Sequence, residues 1–377
     1  MKDIIIIDHE PLTIRKKQIW HIEELRVRGF HVAFWDISEY VHPGMKIADT
    51  LNECYAIRVT TFKQIQSLLS QTNIERTLFI VETPDNWGNR AFFRLLSTNR
   101  CFTIRVELYA SIYMDHSTIR GWRKLKAAPL SLYWNKVKTL LAYTLLKLYK
   151  NLYDVKGYDL QISSHNSPAT DISINHPDWE NYKYALANPG SRPFEKSYVV
   201  FLDEYYPLHP DLRFFTKERR SNANKYRQSM MRFFDIYEQL HDTRVIIAAH
   251  PKADYQPEAF GNRPIIKYQT NFLIQHSEGV FIHNSAAVAY AVLFDRPIAF
   301  ITNDEYRKSK YQSYFQMKMA DNFGRPIWNI DRVDIQTVRM EHINSQLREQ
   351  YIYNTLTAAG QEDKKTADIL CEALSCL

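Results

Sequence analysis

Short apolar runs alternate with helix-length amphipathic stretches along most of this chain. In the first half the runs are Ile4–Ile7, Phe30–Trp35, Leu78–Val81, Cys101–Val106 and Asp159–Ser163. In the second half they are Tyr198–Leu202, Val245–Ala249, Gly279–Ile282 and Pro297–Ile301. Each is short and rich in β-branched or aromatic residues, which predicts buried strands. The stretches between them are long enough for crossover helices, so the sheets should be parallel. Helical spacing is visible at Ile14, Ile19, Ile22 and Leu25, with Gly29 as a stop, and again over Phe62–Leu69, Phe92–Leu96, Arg219–Leu240 and Glu305–Met319. From Val333 onward only helical periodicity remains, broken at Gly360. The turn-rich stretch Asn188–Pro193 has no apolar period and reads as the domain boundary. The expected fold class is α/β, with two Rossmann-like doubly wound domains facing a central cleft and closed by C-terminal helices. The expected domains are residues 1–190, 191–332 and a helical tail at 333–377.

Composition narrows the function. At 377 residues the chain exceeds the usual single-domain length. Gly is scarce, with 10 copies, and neither GxGxxG nor GxxxxGK[ST] occurs. That argues against the glycine-rich dinucleotide and P-loop sites. Cys54, Cys101, Cys371 and Cys376 form no CxxC pair, and no His cluster has zinc-ligand spacing. Free thiols in a reducing compartment are expected, and no metal. The start MKDIIIIDHE reads as a buried strand and not as a signal peptide. No run approaches the roughly 18 apolar residues of a membrane span, so the expected location is the cytoplasm.

Charge matters through its distribution, since the net value is only +6. Residues 116–153 contain no acid and carry Arg120, Arg123, Lys124, Lys126, Lys136, Lys138, Lys147 and Lys150. Within them Trp134, Val137, Leu141, Leu145, Leu148 and Leu152 follow helical spacing, and Lys136, Lys147 and Lys150 fall opposite. A basic amphipathic helix over about 131–152 is predicted. Its apolar stripe either packs on the first domain's sheet or docks on anionic lipid, which would put the protein at the inner membrane face. Nucleic acid is not an expected partner, because the overall charge is modest and no recognition module is visible.

The candidate chemistry sits where the predicted strands stop. In open α/β sheets ligands bind beyond the strands' carboxyl ends. His250, fixed by Pro251, is placed there as a general acid or phosphate ligand; the plainer alternative is a His bonding a loop carbonyl. His-Pro recurs at His176-Pro177 and His209-Pro210, so the dipeptide alone is a weak signal. Asn284-Ser285-Ala286 precedes a helix expected to begin at Ala286, and small residues there suit a phosphate; an ordinary N-cap is the alternative. Asp203 and Glu204 end another strand and point opposite ways, so one of them could take a proton from an acceptor hydroxyl, or they bond backbone amides. Lys252 and Lys267 could meet diphosphate charge or merely sit on the surface. Asp8, His9 and Glu10 end the first strand and could contact an acceptor or form a local turn. His283 is a weak candidate that could simply pack.

The segments AAHPKADY and HNSAAVAYAVLFDRPIAFIT resemble the donor-binding domain of bacterial glycosyltransferases with the GT-B fold. The likeness is greatest to enzymes of capsule and lipopolysaccharide synthesis, the sialyl-, polysialyl- and Kdo-transferases. These share an acidic motif, a His-Pro motif and a Ser motif in that order, matched by Asp203-Glu204, His250-Pro251 and Ser285. The resemblance covers roughly residues 195–302. It implies a carboxylate base, a His as acid or phosphate ligand, and a Ser that binds the nucleotide phosphate. Tyr205 stands where the family usually has Gly, and Ala286 where it often has a second Ser or Thr, so the donor base stays open. The expected function is metal-independent transfer of a sugar from a nucleotide-sugar to a hydroxyl of a surface-glycan acceptor, lipid-linked if the basic helix meets a membrane. Rival expectations are a nucleotide-sugar 2-epimerase, a glycerophosphotransferase, and a non-enzymatic nucleotide-binding protein.

Overall fold

The computed structural model describes residues 3–44, 50–108, 130–165, 169–209, 212 and 221–377, with side chains of the helix that starts at Leu130 described from Val137. The chain divides into two compact units. The first comprises Met1–Tyr109, Trp134–Pro177 and Thr357–Leu377, and the second includes Asp178–Leu356.

Unit 1 runs β1 (Asp3–Asp8), α1 (Ile14–Ile19), α2 (Ile22–Val27), β2 (His31–Asp36), α3 (Ser38–Val41), β3 (Ala56–Arg58), α4 (Phe62–Ser70), β4 (Thr77–Glu82), α5 (Arg90–Thr98), β5 (Phe102–Glu107), α6 (Leu130–Leu152), β6 (Leu160–Ser163) and β7 (Ile172–Ser173). The sheet order is β3-β2-β1-β4-β5-β6-β7, and every pairing is parallel. The isoleucines of β1 show why. Ile4 and Ile6 join a core with Trp20, Leu25 and Ile104 on one face, while Ile5 and Ile7 join Ile65, Phe79 and Phe92 on the other. A strand buried on both faces by crossover helices needs an unbroken apolar run.

Unit 2 begins with α7 (Pro177–Ala187), continues through β8 (Tyr198–Leu202), α8 (Ala223–His241), β9 (Arg244–Ala248), β10 (Ala259–Asn262), β11 (Ile265–Ile266), α9 (Thr270–Gln275), β12 (Val280–Ile282), α10 (Val288–Leu293), β13 (Ile298–Thr302), α11 (Lys310–Asn322) and β14 (Ile327–Asn329), and ends with α12 (Ser345–Tyr351). Its sheet order is β11-β9-β8-β12-β13-β14, again all parallel. Counting only the six strands of this sheet, which leaves out β10, the order is 3-2-1-4-5-6, the Rossmann order. In β8, Tyr198, Val200 and Leu202 serve one core, and Val199 and Phe201 the other. Gly279 opens β12 because nothing larger fits: a Cβ there would lie 2.3 Å from Met340 Sδ and 3.0 Å from the Pro297 carbonyl oxygen.

The α/β class and the doubly wound sheets are as the pattern predicts. The unit boundary is not. The chain passes between units at Pro177/Asp178 and not near 190, because Trp179 on α7 belongs to the core of unit 2. The tail also divides. Ile343 and Leu356 pack in unit 2, while α13 (Thr366–Cys376) returns to unit 1 and buries Ile369, Leu370 and Leu374 against Leu25 and Trp20. The short edge strands β3, β7, β11 and β14 carry too few residues to register as apolar runs. The long helix of unit 2 starts at Ala223, capped by the Asn222 side chain, which accepts from the Lys225 N–H at 3.0 Å; Arg219 lies outside the described residues.

Leu374 is fully buried on the last helix. Leu374→Ala should therefore destabilise unit 1 by about 2–4 kcal/mol, read as a lower urea midpoint. A change below about 0.5 kcal/mol would mean that this helix is not part of the core.

Candidate functional site

In unit 2 the strand order reverses between β8 and β12, which is where a doubly wound sheet binds its ligands. The residues after β8 are Asp203 and Glu204. They point opposite ways, as neighbours on an extended chain must, and each holds a different loop. Asp203 is 3% exposed. Its carboxylate accepts the His250 N–H at 3.3 Å and the Tyr255 hydroxyl at 3.0 Å. Glu204 accepts the Asn284 N–H on one oxygen and the Tyr306 hydroxyl, at 3.1 Å, on the other. One dipeptide thus ties together the loops after β9 and β12, the two that carry His250 and Ser285.

Burial dominates the electrostatics of this pair. It pushes the Asp203 carboxyl up to about 6, with the bonds from His250 and Tyr255 pulling back part of the shift. It pushes Glu204 up to about 8, opposed by Asn284 and Tyr306 and reinforced by the neighbouring Asp203 charge. Both carboxylates have their oxygens turned to loop donors, which is the backbone-holding alternative foreseen for them.

His250 follows β9 and is partly buried. Its Nδ1 accepts the Lys252 N–H at 3.1 Å. In the neutral ring the proton is therefore on Nε2, leaving that edge as a donor. His209 packs edge-on against it, with ring centroids 4.5 Å apart. Lys267 follows β11, also at a carboxyl end of the sheet. His283 is fully buried. Its Nδ1 donates to the Ile301 carbonyl, its Nε2 accepts from the Tyr226 hydroxyl at 2.8 Å, and burial pushes its pKa down to about 4. It is a packed, neutral His.

The loop after β12 departs from expectation. The helix begins at Val288, not at Ala286, and has six residues. Ser285, Ala286 and Ala287 form the turn ahead of it, and Ser285 Oγ accepts the Ala287 N–H at 3.3 Å. Helix-dipole charge is correspondingly small here, so any anion on this turn would meet backbone N–H groups and little macrodipole. Ala286 is exposed. A separate groove of about 440 Å³, lined by Asn224, Arg227, Gln228, Met231, Asp254 and Ala259, includes none of these loop residues.

Unit 1 has its own reversal, between β1 and β4, and a polar cluster stands there. Asp8 is fully buried. It accepts from the Glu10 N–H at 2.9 Å and from Trp20 Nε1 at 3.3 Å, and pairs with Lys16 Nζ at 2.9 Å. Lys16 also reaches Glu10 at 3.2 Å. Burial raises the Asp8 carboxyl above its usual range against the pull of Lys16. His9 Nδ1 donates to the Glu82 carbonyl, and its ring meets His42 with centroids 5.6 Å apart. Glu82 ends β4, and burial pushes its carboxyl up to about 7. Thr83 Oγ1, Ser164 Oγ and His165 Nδ1, all buried after β4 and β6, have no hydrogen-bond partner among the described residues. Asp8, His9 and Glu10 were visible in the sequence. Lys16, Glu82 and His165 were not singled out, since their place depends on sheet order; the polar end Glu82-Thr83-Pro84-Asp85 was the available signal.

No family model matches the chain. A curated relative, described as a probable bifunctional E2/E3 enzyme from Acanthamoeba polyphaga mimivirus, is 29% identical over 84 residues, which is 21% of this chain and 6% of that protein's length. Among solved structures, the spinosyn rhamnosyltransferase SpnG complexed with thymidine diphosphate has a TM-score of 0.41 at 11% identity, over 98% of this chain and 92% of that one. The wall teichoic acid polymerase TagF reaches 0.46 at 12% identity, over 99% and 89%. The Streptomyces sp. SF2575 glycosyltransferase SsfS6 reaches 0.41 at 10%, over 99% and 100%. The function is therefore read from the chain's own residues.

The raised Glu204 carboxyl makes a pH prediction. The folded state holds this proton more tightly than the unfolded chain does. The stabilisation is complete below the ordinary Glu value of 4.5 and is lost as pH rises through about 8. Wild-type stability in urea should fall between pH 5 and 8, and Glu204→Gln should flatten that slope by at least about 1 kcal/mol over the interval. Equal slopes would show that Glu204 titrates normally.

Proposed function

We propose that the chain is a GT-B-type glycosyltransferase that moves a sugar from a nucleotide-sugar to a hydroxyl of a bacterial surface-glycan acceptor such as capsule or lipopolysaccharide. The observation that carries this reading is the Asp203-Glu204 dipeptide holding the His250 loop and the Asn284-Ser285 loop on either side of the Rossmann-ordered strand β8. The order of acidic, His-Pro and Ser motifs along the chain supports the same class.

In this reading the donor's phosphates lie against the loops after β9 and β12. Breaking the bond from sugar to phosphate leaves negative charge on the leaving oxygen. His250 Nε2–H donates to it, as the ring's hydrogen bond from Lys252 N–H leaves that edge protonated. Lys252 and Lys267 supply positive charge, and the Ser285-Ala286 turn supplies backbone N–H groups. No step calls for a metal, because these groups meet the leaving charge. Asp203 and Glu204 act by positioning, since their oxygens are committed to loop donors. The acceptor reading rests with Asp8, His9 and Glu10 on unit 1, joined by Glu82, whose raised pKa suits a base working near neutrality. Thr83 Oγ1, Ser164 Oγ and His165 Nδ1, which follow β4 and β6 and have no hydrogen-bond partner among the described residues, suit a hydroxyl-rich ligand.

Thermal-shift screening against CMP, UDP, GDP and CDP should give a rise in Tm with one of them, and His250→Ala should cut sugar transfer by roughly 10²–10³ while that nucleotide still binds. No shift with any nucleotide, or full turnover in His250→Ala, refutes the reading. Turnover of the nucleotide-sugar alone to a changed sugar would identify an epimerase instead.

A further inference from the structure

Helix α6 is the element that the transferase reading does not use, and it breaks the ordinary rule for amphipathic helices. Its apolar stripe faces outward. Val137, Leu141, Leu145, Leu148 and Leu152 are between 48% and 76% exposed, and Leu140 and Tyr143 beside them are 65% and 63% exposed. On the other side of the helix Leu146 is buried and Tyr149 packs against the core that holds Phe92 and Phe93. Lys150 lies on that inner side as well, paired with Asp85 and 5.7 Å from the Phe93 ring centroid. The helix is thus anchored by one narrow edge and presents its leucines to the surroundings. Single exposed leucines are ordinary, but a contiguous stripe of this kind marks an interaction surface.

Two further features identify the partner. Lys138 and Lys147 are exposed on the flanks of the stripe, and residues 116–153 carry eight basic side chains and no acid. A protein partner for such a face would need matching acids, whereas an anionic lipid surface supplies negative charge and apolar depth together. Aromatic groups cluster beside the helix in the manner of an interfacial belt. Trp87 is 37% exposed, contacts Tyr149 with centroids 6.0 Å apart and carries the Arg90 guanidinium 4.3 Å from its ring centroid. Arg94 lies 3.9 Å from the ring centroid of Tyr153. No helix among the described residues is long and apolar enough to cross a membrane, so the helix would lie in the interface plane.

We propose that α6 is a membrane-docking helix that seats Val137, Leu141, Leu145, Leu148 and Leu152 in the headgroup region of an anionic bilayer, with Lys138 and Lys147 on the lipid phosphates. This does not depend on the reaction. Lys136 has its side chain outside the described residues, and Lys150 is held by Asp85, so the informative substitutions are on the stripe.

The test is cosedimentation of the full chain with vesicles of phosphatidylcholine alone or mixed with phosphatidylglycerol. The wild type should sediment with the mixed vesicles, less so at high salt. Leu141→Glu/Leu148→Glu/Leu152→Glu should bind at least roughly tenfold more weakly, with an unchanged melting temperature because these positions are exposed. Lys138→Glu/Lys147→Glu should abolish the preference for anionic over neutral vesicles. A wild type that stays in the supernatant, or a triple variant that binds like it, overturns the proposal. So does a triple variant with a markedly lowered melting temperature, which would mean that another part of the chain covers the stripe. Wild-type dimers that become monomers in the triple variant, without vesicle binding, would assign the face to a second copy instead.

Discussion

The first strand of each unit's sheet leads into a buried aspartate beside the point where the strand order reverses, and much of both sites hangs on those carboxylates. Asp8 closes β1 and Asp203 follows β8. A carboxylate out of water is costly unless donors surround it. Asp8 is surrounded by Lys16, Trp20 and the Glu10 N–H, and Asp203 by Tyr255 and the His250 N–H. The cost of burial is what gives the arrangement its rigidity: a loop that swung away would leave its carboxylate unpartnered. The polar residues at the sheet edges are held in place by the same groups that burial makes expensive.

This arrangement separates two jobs that the sequence merges. Acidic residues at a strand end look alike whether they take a proton or hold a loop. In unit 2 the oxygens of Asp203 and Glu204 are turned to loop donors, while His250 takes the Lys252 N–H on Nδ1, which puts the neutral ring's proton on Nε2. In unit 1 Asp8 and Glu10 share Lys16, and burial raises the Glu82 carboxyl at the end of the neighbouring strand. Tyr205, at φ 53, adds a further detail. It adopts the left-handed backbone that favours Gly, so the turn after β8 is carried by a residue for which that conformation is costly.

Legibility followed physical scale. The strands buried on both faces announce themselves, and β8 has the bounds its apolar run predicts, Tyr198–Leu202. Edge strands of two or three residues such as β7 and β14 do not, since their pairing depends on neighbours distant in the chain. His250 and Ser285 were visible as polar ends, but Glu82, Tyr255 and Tyr306 are brought to their places by sheet order and crossover packing. The start of α10 was misjudged because Ala286 and Ala287, good helix formers, are used in a turn. For α6 periodicity identified a stripe without its direction. Helical spacing says that leucines share a face; only the neighbours on the opposite side, Leu146 and Tyr149, say which way that face looks.

The return of α13 to unit 1 has a consequence for how the protein is made. Leu370 and Leu374 pack beside residues from the first thirty positions of the chain, yet the ribosome delivers them only after all of unit 2 has emerged. Throughout that interval the nascent first unit carries an uncovered apolar patch around Trp20 and Leu25. Its sheet can form early, but its core cannot close until the last helix of the chain arrives.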